Sequence, residues 1–94
     1  MAASFKHYSG IMVVARPGRL RACEDAIRQS GLAEIHHDDP ESGRIIAVLE
    51  TATLEEQPEA LRRIRALPDV LLAELVYYLH DLQTETHGSP RMTR

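Results

Sequence analysis

The sequence has few cysteines and few aromatic side chains, and it has no excess of positive charge. Cys23 is the only cysteine, which excludes an internal disulfide and every Cys-x-x-Cys metal or redox motif and favours a reducing compartment. Basic residues number 11 against 14 acidic ones, so the chain lacks the positive field that nucleic-acid binding requires. The apolar run at residues 11–15 is too short for a signal-peptide core of about 7–15 residues or a membrane span of about 20. We therefore expect a cytoplasmic protein that binds no nucleic acid and does not insert into a membrane.

Chemical motifs are also scarce. His36 and His37 are adjacent on a predicted strand, so their side chains point to opposite faces and no metal site is expected. Cys23 falls on the apolar stripe of a predicted helix, which favours a small core residue over a nucleophile. No glycine-rich loop carries a nucleotide-binding signature, and no pair of titratable groups suggests an acid and a base. The sequence therefore predicts a protein that is not an enzyme and needs no cofactor.

What is present is a chain of 94 residues with 44% hydrophobic and 27% charged residues. This length allows one domain with a modest core, and the composition is that of an ordered globular protein. The last residues contain Gly88, Ser89 and Pro90 and few apolar side chains. We expect a folded domain over residues 1–80 and a flexible C-terminal tail over residues 81–94.

Periodicity and turn residues divide the domain into six elements. Val- and Ile-rich runs predict strands at residues 8–15, 45–49 and 70–79, and a more polar strand is expected at residues 33–38. Helical spacing predicts a first helix over residues 18–30, with Gly31 as its left-handed C-terminal residue. Thr53 and Glu56 resemble a capping box for a second helix, although Pro58 predicts that this helix starts a residue or two later.

The order β-α-β-β-α-β predicts an α+β, ferredoxin-like fold. Its four-stranded antiparallel sheet has the strand order 4-1-3-2, with two helices on one face and the other face open. RNA-binding domains of this topology stack bases on sheet aromatics. The aromatic residues of this chain lie only at strand margins, which argues against RNA binding.

The strands do not alternate as a sheet with one solvated face should. We assign to the helix side Met12, Val14, Ile45, Ala47, Leu49, Leu71, Leu75 and Tyr77. The open side then carries Ile11, Val13, Ile46, Val48, Leu72 and Val76, together with the carboxylates of Glu50 and Glu74. These two carboxylates determine the choice, because an unpaired carboxylate is rarely buried in a core.

An apolar patch of this size approaches the ~300–600 Å² that soluble monomers expose, and such a patch usually has a partner. Apolar contact alone would bind weakly, so charge pairing is also needed. Glu50, Glu74 and the acidic hairpin residues Asp38, Asp39 and Glu41 suit a basic partner, although the hairpin acids alone favour a solvated turn. An amphipathic helix carrying arginines satisfies both demands.

Other occupants of the open face remain possible from the residues alone. In one interpretation, the chain's own tail or a second copy covers the face. In another, the chain is a small-molecule-sensing regulatory domain that dimerises through its apolar fourth strand. A structural subunit of a larger complex is a third reading. Each interpretation predicts a different partner.

Three stretches of the sequence follow one another in a distinctive order: Met12-Val13-Val14 after a short polar leader, the acidic turn and apolar strand at residues 39–50, and the last helix and strand at residues 61–77. In their order and spacing they resemble the NapD family. In sequence the likeness covers about residues 8–79, and Glu74 departs from the small polar residue frequent in the family. The resemblance implies a monomeric cytoplasmic chaperone that binds the twin-arginine signal peptide of the periplasmic nitrate reductase catalytic subunit. It would delay export until cofactor loading is complete.

Overall fold

The computed structural model describes residues 6–79. Six elements follow one another: β1 (His7–Ala15), α1 (Leu20–Ser30), β2 (Ala33–Asp39), β3 (Arg44–Thr51), α2 (Glu56–Arg65) and β4 (Val70–Leu79). The strands form one sheet in the order β2-β3-β1-β4, and all three pairings are antiparallel. The predicted βαββαβ architecture and strand order are confirmed. The expected tail at residues 81–94 lies outside the described residues.

Helix α1 ends as its sequence predicts. Gly31 takes up a left-handed conformation with φ of 70°, and its N–H donates to the carbonyl of Arg28. Glycine has no Cβ to oppose this conformation, so the chain can turn directly into β2.

Helix α2 begins differently. The expected capping box is wrong, because the Glu56 carboxylate accepts from the N–H of Ala52 at 3.1 Å while the Thr51 hydroxyl donates to the carbonyl of Thr53. The helix starts only at Glu56, as the position of Pro58 indicated. Pro58 then lies in the first turn, where its missing N–H costs no helical hydrogen bond.

The core lies between the helices and one face of the central strands. Ile11 and Val13 are fully buried there, opposite Ala47 and Ile45 in the pairing of β1 with β3. Their predicted placement on the open face is therefore wrong, as is the placement of Met12 and Val14 on the helix side. Residues 8–15 are uncharged, so no carboxylate indicated which face of β1 is covered. For β3, where Glu50 supplied that information, the predicted facing is correct.

Strand β4 contains two bulges that the sequence pattern does not show. The pairing with β1 skips Leu71 and Val76, so alternation along β4 is interrupted twice. Leu75 faces the helix side as predicted, because it pairs with Ile11. Tyr77 lies on the open side instead, opposite Gly10, and Leu71 is a half-exposed bulge residue outside the core.

A buried polar cluster joins α2 to the sheet. The Gln57 amide accepts from the Ser9 hydroxyl and donates to Thr51 Oγ1 at 2.7 Å and to the His7 carbonyl at 3.1 Å. These three hydrogen bonds fix the position of α2 over the end of β1 and β3.

Both helices in the described part of the chain are shorter and more polar than a membrane-crossing helix would have to be.

Candidate functional site: the open face of the sheet

The face of the sheet opposite the helices is apolar at its centre. Even-numbered residues of β1 and β3 point there. Five of them are half-buried without a helix to cover them: Tyr8, Met12, Val14, Ile46 and Val48. From β4, Leu72 joins this surface opposite Val14, with 38% of its area exposed. We define the open-face patch as Met12, Val14, Ile46, Val48, Leu72 and Tyr77.

Acidic side chains lie on three borders of the open-face patch, and one of them is Glu34, which is opposite Val48 on the edge strand β2. Glu74 is opposite Met12 on the edge strand β4, and Glu50 is opposite Tyr8 at the far end of β3. Both are exposed. Among the described residues, no cation lies within 4.0 Å of Glu74, whereas Glu50 forms an ion pair with Lys6 at 2.8 Å. The surface therefore combines apolar area with negative charge, as expected for a basic amphipathic partner.

The acidic residues of the β2–β3 hairpin do not all contribute to this acidic border. Asp39 accepts from the N–H of Glu41 at 3.1 Å and from the Ser42 hydroxyl at 2.9 Å. The Ser42 and Glu41 hydrogen bonds lower the pKa of the Asp39 carboxyl. Asp38 is opposite Ile45 and so points toward the helix side. Asp39 thus stabilises the turn, which agrees with the solvated-turn interpretation.

The Tyr77 ring lies flat on the sheet because Gly10, the residue beneath it, has no side chain. A Cβ on Gly10 would lie 2.2 Å from the Tyr77 ring, which no real contact permits. The ring therefore crosses from β4 over β1, toward Val48 on the next strand. A glycine inside a strand pattern indicates such a close approach, and this signal in the sequence could have located Tyr77.

The predicted site residues separate into two sets. Ile11 and Val13 belong to the core and present no surface to a partner. The others are accessible on or beside the open face: Ile46, Val48, Glu50, Leu72, Glu74 and the bulge residue Val76. Met12, Val14 and Tyr77 were missed as members of this surface because their facing depends on strand register and on the bulges.

Of the remaining reactive side chains that the structure describes, only His37 lies beside the open-face patch, where it is opposite Ile46 on the edge strand β2. Cys23 is fully buried in the core, and burial raises the pKa of its thiol to about 11, so the thiol is neutral at physiological pH. His36 and His37 are exposed on β2. Within residues 6–79 no group of three or more metal-binding side chains comes together.

Comparison with known proteins agrees with this geometry. Among curated proteins, no sequence matches. The solution structure of the E. coli Tat proofreading chaperone protein NapD is similar, with a TM-score of 0.65 and 23% sequence identity over 95% of this chain and 92% of the solved chain. That likeness shows the shared fold. The family model described as NapD protein matches residues 7–81, and the chain therefore belongs to the NapD family.

Proposed function

We propose that this protein is a cytoplasmic chaperone that binds a twin-arginine signal peptide on the open face of its sheet. The partner would be the catalytic subunit of periplasmic nitrate reductase, held back from export until its cofactors are loaded. The observation that carries the proposal is the open-face patch with carboxylates on its borders, in a chain of the NapD family.

The magnitudes favour a partner that brings both apolar and basic groups. Fully burying an aliphatic side chain yields about 1.5–3 kcal/mol, so six partly buried side chains give roughly 5–9 kcal/mol before association costs of at least ~4 kcal/mol. The apolar contact alone leaves weak binding. Arginines that pair with Glu50 or Glu74 would supply the remaining affinity and fix the orientation of the peptide.

The mechanism is occlusion, with no chemical step. A signal peptide folded as an amphipathic helix would lay its hydrophobic segment across Met12, Ile46 and Val48. Its arginines would face the acidic border. The segment that the export machinery must recognise would then be buried until the complex dissociates.

The test is to place a charge at the centre of the patch. Val48→Asp should abolish binding of a synthetic twin-arginine signal peptide in titration calorimetry, because an aspartate would be buried against the peptide's apolar side. Val48 is only half-buried, so the variant should still fold. Gln29→Asp on the exposed surface of α1 adds the same charge away from the patch and should bind normally. Unchanged binding by the Val48 variant would refute the proposed site.

Specificity for one precursor is tested separately. The nitrate reductase leader and an unrelated twin-arginine leader should be titrated under identical conditions. Tighter binding of the nitrate reductase leader is expected. Equal affinities would show that the protein binds twin-arginine leaders in general and would contradict the assignment to nitrate reductase.

A second candidate function is a small-molecule-sensing domain that dimerises. An apolar cavity of about 360 Å³ opens between α2 and β4 and is lined by Ser9, Ile11, Leu49, Leu54, Gln57, Pro58, Leu61 and Leu75. This volume is within the range of ligand sites, about 300–1,000 Å³. Strand β4 is also an apolar edge, but its two bulges oppose regular pairing with a second copy. Sedimentation that shows a ligand-dependent dimer would favour this candidate, and a monomer under all conditions would exclude it.

A further inference from the structure

One corner of the open face already holds a cation. The Lys6 ammonium lies 2.8 Å from a carboxylate oxygen of Glu50, and both side chains are about half-exposed. The hydrogen bond and charge of Glu50 raise the pKa of Lys6, and the nearby Tyr8 adds to this effect. The chain's own Lys6 therefore occupies this part of the acidic border.

Two tyrosines stand beside this ion pair. Tyr8 is directly opposite Glu50 in the pairing of β1 with β3. Two residues further along β1, the Tyr77 ring lies over Gly10 and reaches toward Val48, the residue two before Glu50 on the same face of β3. Neighbouring and diagonal positions on a sheet face lie within reach of aromatic and long side chains. We call this group of Tyr8, Glu50 and Tyr77 the tyrosine–glutamate corner.

The corner fits a guanidinium better than the ammonium it holds. A guanidinium donates two parallel hydrogen bonds to a carboxylate, whereas an ammonium acts as a point charge. A guanidinium also stacks on the face of an aromatic ring and is less strongly hydrated. The flat Tyr77 ring provides such a face.

We propose that the tyrosine–glutamate corner is the subsite for one arginine of the bound signal peptide, and that Lys6 occupies it in the free protein as an internal competitor. This inference rests on the proposed function. Binding would replace Lys6 by the peptide's arginine, so the Lys6 ammonium would be released from Glu50 in the complex. Glu74, which has no such competitor among the described residues, would remain open to a second cation.

The competitor is weakly held, which makes the exchange feasible. Half-exposed ion pairs contribute little to stability and are screened by salt. Removing Lys6 should therefore tighten peptide binding by a factor of about 1.5–5, the range that corresponds to a surface ion pair. Removing Glu50 should weaken it by about tenfold or more, because the arginine then loses a charge-assisted hydrogen bond.

The chain offers a matched control pair on α2. Arg62 and Glu59 form an ion pair at 2.7 Å with similar exposure, away from the open face. Lys6→Met is compared with Arg62→Met, and Glu50→Gln with Glu59→Gln, so each comparison changes the net charge equally. The Glu59 and Arg62 variants should bind the peptide as the unmodified protein does.

The experiment titrates a synthetic twin-arginine peptide, and the same peptide with each arginine replaced by lysine, into every variant. One arginine-to-lysine replacement should weaken binding to the unmodified protein and have no further effect in Glu50→Gln. Tyr77→Leu should reduce the preference for arginine, and Tyr77→Phe should retain it. Lys6→Met should improve binding only while Glu50 is present.

The outcomes separate this inference from the proposed function. If the unmodified protein binds no peptide, the proposed function fails and the corner fails with it. If the peptide binds but Glu50→Gln equals Glu59→Gln, the corner is wrong while the proposed function stands. An affinity gain in Lys6→Met no larger than that in Arg62→Met would overturn the role of Lys6.

Discussion

The two faces of the central strands use nearly the same residues for opposite purposes. Ile45 is fully buried under the helices and its neighbour Ile46 is half-buried on the open face. Val13 and Val14 form a second such pair on β1. Hydrophobicity alone therefore does not distinguish core from interface in this sheet. What distinguishes them is cover, because both helices pack on one side.

The borders of the two faces differ in their charge. On the open side, Glu50 and Glu74 are accessible and can pair with a partner. On the covered side, Gln57 is hydrogen-bonded inward, whereas Glu24 at the margin is only 8% exposed and has one carboxylate oxygen without a hydrogen-bond partner in the described part of the chain. A surface kept for a partner thus retains usable charge, and a core does not.

The largest effect on stability is expected for a charge placed on the covered face of β1. Val13→Asp should remove about 4 kcal/mol or more from the free energy of unfolding, because it buries an unpaired carboxylate. Val14→Asp should cost only about 1 kcal/mol, since the new carboxylate faces water near Arg44. Chemical denaturation followed by circular dichroism measures both. Equal losses would contradict the assigned facing of β1.

The next effect concerns the polar cluster that closes the covered face. Gln57→Ala should lower the free energy of unfolding by about 2 kcal/mol or more, because it leaves the buried Ser9 and Thr51 hydroxyls without their amide partner. Glu59→Ala on the same helix removes only an exposed ion pair and should change stability by less than ~0.5 kcal/mol. Urea denaturation of the two variants provides the comparison, and similar midpoints would show that the cluster is dispensable.

A smaller, pH-dependent effect is expected at the margin of the covered face. Burial, followed by the nearby Asp38 carboxyl, raises the pKa of Glu24, while Arg28 and Arg21 oppose this shift. An acid with a raised folded-state pKa binds its proton more tightly when folded. Its contribution to stability is therefore full below its unfolded pKa and is lost as pH rises through the folded pKa.

Glu24→Gln should consequently flatten this part of the pH dependence and stabilise the protein at neutral pH. Thermal unfolding from pH 4 to pH 8 measures the difference between the two proteins. A parallel pH dependence in both would exclude Glu24 as its source.

Only a small change in stability is expected at Gly10. An alanine methyl group would collide with the Tyr77 ring and displace it. The ring is the mobile end of an exposed side chain, so the free energy of unfolding should change by less than about 1 kcal/mol. Peptide affinity measured by calorimetry should fall, and the preference for arginine over lysine should be reduced as in Tyr77→Leu. A normal affinity in Gly10→Ala would show that the flat ring is not required on the open face.

Local signals predicted most of the elements correctly. Gly31 ends α1, the turn around Gly43 separates β2 from β3, and Val70–Leu79 forms β4 within the expected bounds. These features depend on backbone conformations and apolar periods that neighbouring residues alone establish. A local signal was wrong at Thr53, where a capping box was expected. The Thr51 hydroxyl and the Glu56 carboxylate form hydrogen bonds to the backbone of Thr53 and Ala52 instead.

By itself, the sequence determined the fold class, the strand order and the existence of an apolar face with acidic borders. The amino-acid pattern carries this information because element type and alternation are local properties. Only the tertiary structure decided which residues form that face. Strand β1 is apolar on both sides, so its facing came from its register with β3, and the bulges at Leu71 and Val76 turned Tyr77 to the open side. Register and bulges are set by pairing between distant strands, where a shift of one residue exchanges the two faces.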